Sequence, residues 1–378
     1  MKILINALSA KLGGGQTYIV NFLKNLPADC PHEIILLCGV FNEQKFRSAA
    51  SSSQIHFALK GKAWKNSLFR ALWELLILPV YLKRQHIGLY FQPAAGVPIY
   101  VPSSCHSATM LRNMLPFEDR ERQRFPWYSL VRLKMFLQKR LILLSLAHFD
   151  KVIFISKYSQ QFIKRYLPDI EQKSQVIPHG LNEKFRNCLG EFDISQFGLQ
   201  AGHYYLYVSI LDYYKAQLEV VREWKKLMER GLNFPLVLTG FLNRSTYVEQ
   251  VKAEIQRLNL EKNVILTGPV ENDFLPSFYK QARALIFASS CECCPNILLE
   301  KMSAGKPLFC SDIQPMPEFG GDAVYYFNPY QEGSLADAIN YAEKSPANMQ
   351  RRALLTRERA MQYNWIQTIT KTLAYITG

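Results

Sequence analysis

Short apolar runs recur along the chain, separated by stretches in which apolar residues fall three or four apart. In the first half the runs are KILINAL (2–8), HEIILLCGV (32–40), IGLYFQP (87–93) and KVIFIS (151–156). In the second half they are YYLYVSI (204–210), FPLVLTG (234–240), NVILTG (263–268), ALIFAS (284–289) and PLFCS (307–311). Runs of this length predict buried strands, and segments such as QLEVVREWKKLMERG (217–231), which closes on a glycine, predict helices. Strands alternating with helices predict βαβ units and largely parallel sheets. A break near IPHGLNEKFRN (177–187) divides them into two sets. We therefore expect an α/β protein of two Rossmann-like, doubly wound domains facing a central cleft, with ligands beyond the carboxyl ends of the strands.

A chain of 378 residues is too long for one ordinary core, and 48% hydrophobic against 20% charged residues suits a folded globular protein. The first apolar run is too short for a secretory signal, and no stretch approaches the roughly 20 apolar residues that span a bilayer. The strongest candidate, LWELLILPVYL (72–82), contains Glu74 and Pro79 and reads as a buried or interfacial helix. The expected location is the cytoplasm, where cysteines stay reduced.

The net charge of +14 calls for an anionic partner. Residues 60–84 hold Lys60, Lys62, Lys65, Arg70, Lys83 and Arg84 against Glu74 alone. Residues 120–140 interleave seven basic side chains with Phe125, Trp127, Tyr128, Leu130, Phe136 and Leu137. Such a mixture suits either a helix on an anionic lipid surface or a solvated face whose long side chains cover packed helices. No nucleic-acid motif accompanies the charge, so nucleic acid is not expected as a partner.

Three stretches carry candidate chemistry. In LSAKLGGGQTYIVNFLKNL (8–26), Gly13, Gly14 and Gly15 separate the first strand from the first helix. Such a loop serves either as a tight turn or as a cradle whose N–H groups meet a phosphate. It has neither the P-loop pattern nor the dinucleotide pattern. Lys215 follows the first strand of the second half and is either a surface lysine or a cation placed for a phosphate in the cleft. The third stretch, SSCECCPNILLEKMSAGKP (289–307), crowds Cys291, Cys293 and Cys294 around Glu292. Structural zinc wants four ligands, usually in two separated pairs, and the next sulfur, Cys310, stands alone. No metal is expected, and the thiols read as filler in a pocket wall.

ISKYSQQFIKRYLPDIEQKSQVIPHGLNEKF (155–185) resembles the interdomain segment of retaining glycosyltransferases of family 4. CECCPNILLEKMSAGKPLFCSDIQPMPEFGGDAVYYFNP (291–329) is similar to that family's signature, with E-x7-E spacing from Glu292 to Glu300, then A-x-G-x-P, P-E and G-D-A. LTGPVENDFLPSFYKQARALIFAS (266–289) and NWIQTITKTLAYI (364–376) resemble further parts of the family, so the resemblance runs through essentially the whole chain. It implies the GT-B architecture: an acceptor-binding domain over 1–185, a nucleotide-sugar-binding domain over 186–360 and a closing helix over 361–378 that packs back on the first domain.

The resemblance also implies roles. Lys215 and the Gly13–Gly15 loop would meet the donor diphosphate, where charge collects during transfer. Glu300 would accept the ribose hydroxyls, and Glu292 would sit beside the donor sugar. The backbone N–H groups of Cys293, Cys294, Asn296 and Ile297 would face sugar and phosphate, with Pro295 in the first helical turn. Thr267, Gly268 and Val270 would lie in the loop that reads the base. Ile210 stands where relatives commonly carry an arginine, and Arg112-Asn113 where many present a His-Asp pair. Arg112 would supply the missing charge, and His106 and Asn113 are candidates for acceptor contacts. The implied activity is transfer from a UDP- or GDP-sugar, without metal cofactor, to a glycan or lipid-linked acceptor in surface-polysaccharide assembly such as lipopolysaccharide, O-antigen or capsule. The implied location is peripheral, on the inner face of the plasma membrane, at anionic lipid. The rival readings are a non-catalytic polysaccharide- or lipid-binding protein and a nucleotide-sugar epimerase of the same fold.

Overall fold

The computed structural model describes residues 1–11, 13–61, 66–96, 98–187, 191–241 and 245–378. Lys62 and Lys65 of the first basic segment lie outside the described residues. The chain forms two compact units: Met1–Gly180 with Asn364–Gly378, and Leu181–Tyr363.

The first unit is a seven-stranded parallel sheet of β1 (Lys2–Asn6), β2 (Glu33–Gly39), β3 (Ile55–Lys60), β4 (Leu89–Gln92), β5 (His106–Leu111), β6 (Lys151–Phe154) and β7 (Ser174–Val176). Their order is β3-β2-β1-β4-β5-β6-β7. Ile3 pairs with Ile34 on one side and Leu89 on the other, so β1 is central and wholly buried on both faces beyond Lys2. The second unit is a six-stranded parallel sheet of β8 (Tyr205–Val208), β9 (Leu236–Thr239), β10 (Val264–Gly268), β11 (Ala284–Phe287), β12 (Leu308–Ser311) and β13 (Tyr325–Phe327). Their order is β10-β9-β8-β11-β12-β13. In each sheet the strand order reverses once, at β1/β4 and at β8/β11, and such switch points are where open parallel sheets bind ligands.

Four strands lie outside the apolar runs that predict strands. β3 and β13 are edge strands, β3 largely half-exposed, and β7 has only three residues, so periodicity has little to read. β5, HSATML, is polar at its start but buried beyond His106. Its Ser107 donates to the Asp150 carboxylate at 2.7 Å, and its Thr109 donates to the Gln92 carbonyl at 3.0 Å. Those bonds satisfy the hydroxyls and let polar residues occupy a central strand.

The last helix, Trp365–Thr377, belongs to the first unit. Asn364 caps it by accepting from the Ile366 N–H at 2.7 Å. Trp365 stacks on His179 at 5.3 Å and meets the edge of Tyr18 at 5.9 Å. Thr368 donates to the Pro178 carbonyl at 2.9 Å, and Lys151 donates to the Tyr375 carbonyl at 2.9 Å. Gly180 permits the approach, because a Cβ there would come within 2.2 Å of the Trp365 nitrogen.

Two helical segments of the first unit turn apolar side chains outward. In Ser67–Leu76 the one buried residue is Glu74, which accepts from Asn6 at 2.8 Å, while Leu68, Phe69, Leu72, Leu75 and Leu76 are exposed. Leu130–His148 exposes Leu130, Val131, Leu133, Phe136, Leu137, Leu141 and Leu144. Both segments lie in right-handed crossovers that run in one direction along the sheet, which sets them on one face. Leu78 and Leu82, just after the first segment, and Phe149, just after the second, share one core cluster on that face. Among the described residues no helix is long and apolar enough to cross a membrane.

Candidate active site

At the switch point of the second sheet, chain leaves β8 into a short turn, Tyr213–Lys215, and then into the helix Gln217–Glu229. The buried Asp212 carboxylate accepts from the Tyr213 N–H at 2.8 Å, and Gln217 donates to Ser209 and to the Ile210 carbonyl, both at 2.8 Å. Between turn and helix, Ala216 adopts a left-handed conformation with φ of 53°, which costs a non-glycine residue roughly 1–2 kcal/mol. The turn is therefore held against its own preference by the bonds around it. Gly240, at the end of β9, is also required: a Cβ there would approach the Ser209 carbonyl oxygen to 1.8 Å.

This turn sets Lys215 in a buried position, 4% exposed. Its ammonium pairs with the Glu292 carboxylate, which arrives from the loop after β11. Ser289 joins both, accepting from Lys215 at 3.3 Å and donating to Glu292 at 2.8 Å. Residues 77 apart in sequence thus meet because β8 and β11 are neighbours. Ser290 adds a second link across the switch, its N–H donating to the Tyr214 carbonyl at 2.8 Å while its hydroxyl accepts from Tyr330 at 2.8 Å. Neither Ser289 nor Ser290 was singled out by motif, since a serine pair beside a glutamate has no spacing of its own to notice.

After Glu292 the chain turns into the helix Asn296–Ser303, with Pro295 at its cap position. The Asn296 N–H donates to the Cys294 carbonyl at 2.9 Å. That donor closes the turn at the helix start. Cys291, Cys293 and Cys294 are buried in the wall around Glu292. Among the described residues, no three His, Cys, Asp or Glu side chains are grouped as a metal site requires. One turn into the helix stands Glu300, half-buried. Burial pushes its carboxyl up to about 7, against the pull of the Lys184 and Lys301 cations. Lys301, the next residue, is wholly buried and donates to the Val208 carbonyl at 3.0 Å and the Ile286 carbonyl at 2.7 Å. Sequence reasoning passed over it. The available signal was a lysine among Leu298, Leu299 and Met302, all buried.

Thr267 and Gly268 end β10, two strands from β8, which is about 10 Å at the usual strand spacing. The Thr267 and Thr239 hydroxyls are 2.8 Å apart, tying the carboxyl ends of β10 and β9, and Gly268 takes φ of 72°. Val270 follows in the irregular, half-buried chain beyond.

In the first unit, the Gly13–Gly15 loop joins β1 to the helix Gly14–Lys24 at the other switch point. Gly13 has φ of 65°, a conformation that favours glycine. Arg112, just past the carboxyl end of β5, donates to the Gly14 carbonyl at 3.3 Å and the Gly15 carbonyl at 3.5 Å. Its guanidinium lies 5.4 Å from the centre of the Tyr18 ring. The structure therefore brings Arg112 and the glycine loop together. It does not bring His106 to them. His106 opens β5, at the amino end of the strand, six residues and about 17–20 Å from Arg112, whereas ligands of parallel sheets bind at carboxyl ends. Asn113 accepts from the Leu115 N–H at 3.1 Å, forming a local turn.

Residues 193–359 match the family described as Glycosyl transferases group 1. The matched residues all lie within the second unit. Among curated proteins, the chain is 23% identical over 233 residues to O-antigen chain mannosyltransferase B of Escherichia coli, covering 61% of this chain and 59% of that protein. It is also 23% identical over 188 residues to an uncharacterized glycosyltransferase of Methanocaldococcus jannaschii, covering 48% and 45%. The chain thus spans about half the length of the curated relatives it matches. Among solved structures, Anabaena HepE in complex with UDP and glucose matches with a TM-score of 0.72 and 18% identity, over 99% of this chain and 98% of that one. At that identity the likeness speaks for the fold: two parallel-sheet, Rossmann-like domains of the GT-B type.

Proposed function

We propose that the chain is a retaining glycosyltransferase of family 4 that moves a sugar from a UDP- or GDP-sugar to a glycan or lipid-linked acceptor in surface-polysaccharide assembly. The observation that carries this reading is the constellation of buried Lys215 and Ser289 with half-buried Glu292 at the β8/β11 switch point. Cleaving a nucleotide sugar leaves positive charge at the anomeric carbon and negative charge on the diphosphate. A fixed cation beside a fixed carboxylate answers both, and a water-poor setting strengthens each. Lys215 neutralises the diphosphate, Glu292 accepts sugar hydroxyls near the anomeric carbon, and Glu300 accepts the ribose hydroxyls. The backbone of Cys293, Cys294 and Ile297 lines the sugar and phosphate side, Pro295 holds the helix start, and Thr267, Gly268 and Val270 meet the base. In the first unit, Gly13, Gly14, Gly15 and Arg112 are assigned to phosphate, with Asn113 on the acceptor side. We name no protein nucleophile. The names of the Escherichia coli relative and of the Anabaena complex support the reaction class and a uridine nucleotide. A panel of UDP- and GDP-sugars tested for nucleotide release and transfer decides the matter: if no donor is bound or turned over, the enzyme reading fails.

The outward apolar residues of Ser67–Leu76 and Leu130–His148, with Arg70, Lys83, Arg84, Arg132, Lys134, Lys139 and Arg140 among or beside them, support peripheral attachment to an anionic bilayer at the inner face of the plasma membrane. Single exposed apolar residues are ordinary, but two helices presenting them on one face are not. Flotation with anionic vesicles at low salt, and its loss with neutral vesicles, tests this attachment.

A further inference from the structure

Among the described residues of the second unit, the large apolar side chains that stand exposed are Phe241, Phe274, Tyr341 and Leu354. Tyr341 and Leu354 lie on the helices Ser334–Glu343 and Pro346–Met361. Phe274 is the least exposed of the four and stacks on Phe192, ring centres 5.4 Å apart. Phe241 differs from all three. It is 68% exposed and stands just past the carboxyl end of β9, on the side of a parallel sheet where ligands bind. A lone exposed phenylalanine is ordinary elsewhere on a surface, but here a large apolar ring is left wet beside the candidate site.

The main chain that carries the ring is pinned on both sides. The Gly240 N–H donates to the Gly268 carbonyl at 3.1 Å, and the Phe241 carbonyl accepts from the Leu211 N–H at 2.9 Å. Phe241 is thereby fixed between the chain that leads to Lys215 and the chain that leads to Val270. β9 itself lies between β8 and β10. Lys301 donates to the Val208 carbonyl at 3.0 Å, which holds the helix turn bearing Glu300 against the end of β8. A nucleotide with its diphosphate at Lys215, its ribose at Glu300 and its base at Thr267–Val270 therefore runs from β8 toward β10, across the end of β9.

We infer that the Phe241 ring is the platform on which the base of the donor nucleotide stacks. Every base has a π-face that an aromatic ring can cover, whatever its hydrogen-bonding edge. A phenylalanine has only two side-chain torsions, and this one stands on a backbone already fixed, so little freedom is lost when a base covers it. The ring supplies affinity common to all bases and leaves the choice among them to the loop after β10. The base is remote from the reacting carbon, so the stack is equally strong before and during transfer and contributes to binding, not to the chemical step. The inference rests on the donor-site reading given above.

The test is titration of the full chain with UDP and GDP, taking whichever the wild-type protein binds more tightly. Phe241→Ala should weaken that nucleotide by roughly 5- to 100-fold, the range of one base–aromatic stack, and leave the Tm unchanged because the ring is exposed. Phe241→Leu, apolar but not planar, should bind closer to the alanine variant than to wild type. Phe241→Trp should bind within about threefold of wild type, with its added indole emission quenched by the nucleotide. In a transfer assay with the best donor of the panel, Phe241→Ala should raise the donor KM and keep kcat within about twofold. If the wild-type protein binds neither nucleotide, the donor-site reading falls and this inference with it. If wild type binds and Phe241→Ala or Phe241→Leu binds as tightly, this inference alone is overturned. A loss that falls on kcat or on the acceptor KM, or a Phe241→Trp indole left unquenched by bound nucleotide, overturns it too.

Discussion

The two switch points hold their cations in opposite ways. In the first unit Arg112 rests on two main-chain carbonyls of the glycine loop, at 3.3 and 3.5 Å, and remains half-buried. In the second unit Lys215 is buried, paired with Glu292 and braced by Ser289, in a turn that keeps Ala216 in a strained conformation. A guanidinium half-exposed on carbonyl dipoles tolerates movement. An ion pair with one buried partner fixes two side chains at a desolvation cost, and removing the half-buried Glu292 strands the buried Lys215. One folding plan thus holds one cation loosely and the other rigidly, and under the proposed function the rigid mount belongs to the donor's reacting end.

Substitutions can break this contrast. The largest effect is expected at the rigid end: Lys215→Ala should lower kcat/KM by at least about 100- to 1000-fold in a transfer assay with the best donor of the panel. Loss of less than tenfold would remove Lys215 from the reaction centre. Glu300→Gln comes next and should weaken nucleotide binding about tenfold at pH 8, since an amide is a poorer acceptor for two hydroxyls than a carboxylate. Its effect on stability has the opposite sign. A carboxyl held near 7 when folded and near the usual range when unfolded favours folding fully below the unfolded value, and that contribution is lost as pH rises toward 7. Glu300→Gln should therefore raise the Tm at pH 8, by ~1–2 kcal/mol of stability after allowing for solvent screening, and not at pH 4. By the same logic the wild-type affinity for nucleotide should climb between pH 6 and 8, which fluorescence or calorimetric titration would follow.

Arg112→Ala sharpens the comparison at the adaptable end. It should cost about tenfold or less in transfer and weaken nucleotide affinity less than Lys215→Ala does, because the side chain is half-exposed and rests on main-chain carbonyls. A larger loss than that of Lys215→Ala would reverse the assignment of rigid and adaptable roles. The smallest effect on the folded protein belongs to the outward face: Leu72→Ser with Leu76→Ser should change stability by no more than about 0.5 kcal/mol, yet reduce flotation with anionic vesicles.

Strand periodicity made the two sheets legible, and the E-x7-E spacing drew attention to Glu292 and Glu300 before any coordinates. What the chain could not disclose is adjacency. That Lys215 pairs with Glu292, rather than each meeting a different partner, depends on β11 lying next to β8, and strand order is a property of the whole sheet. The same limit hid Lys301, whose Nζ reaches a carbonyl next to each of two neighbouring strands' ends, Val208 and Ile286. His106 shows the converse: its neighbourhood in sequence to Arg112 suggested a shared site, but a six-residue strand carries them to opposite ends of the sheet. The exposed apolar helices were half legible. Composition marked them as basic and aromatic, while the burial of Glu74 against Asn6 and Tyr90, with leucines turned outward, follows from how Asn6 at the end of β1 offers a buried amide.

The closing helix has a consequence for the order in which the molecule can be made. Residues 181–363 sit, in sequence, inside the first unit, whose second piece is Asn364–Gly378. On the ribosome the first sheet emerges early but waits for Trp365 to reach Tyr18 and His179, while the second unit can finish beforehand. A nascent chain arrested before residue 364 would hold one completed unit beside another still open along that helix's docking groove.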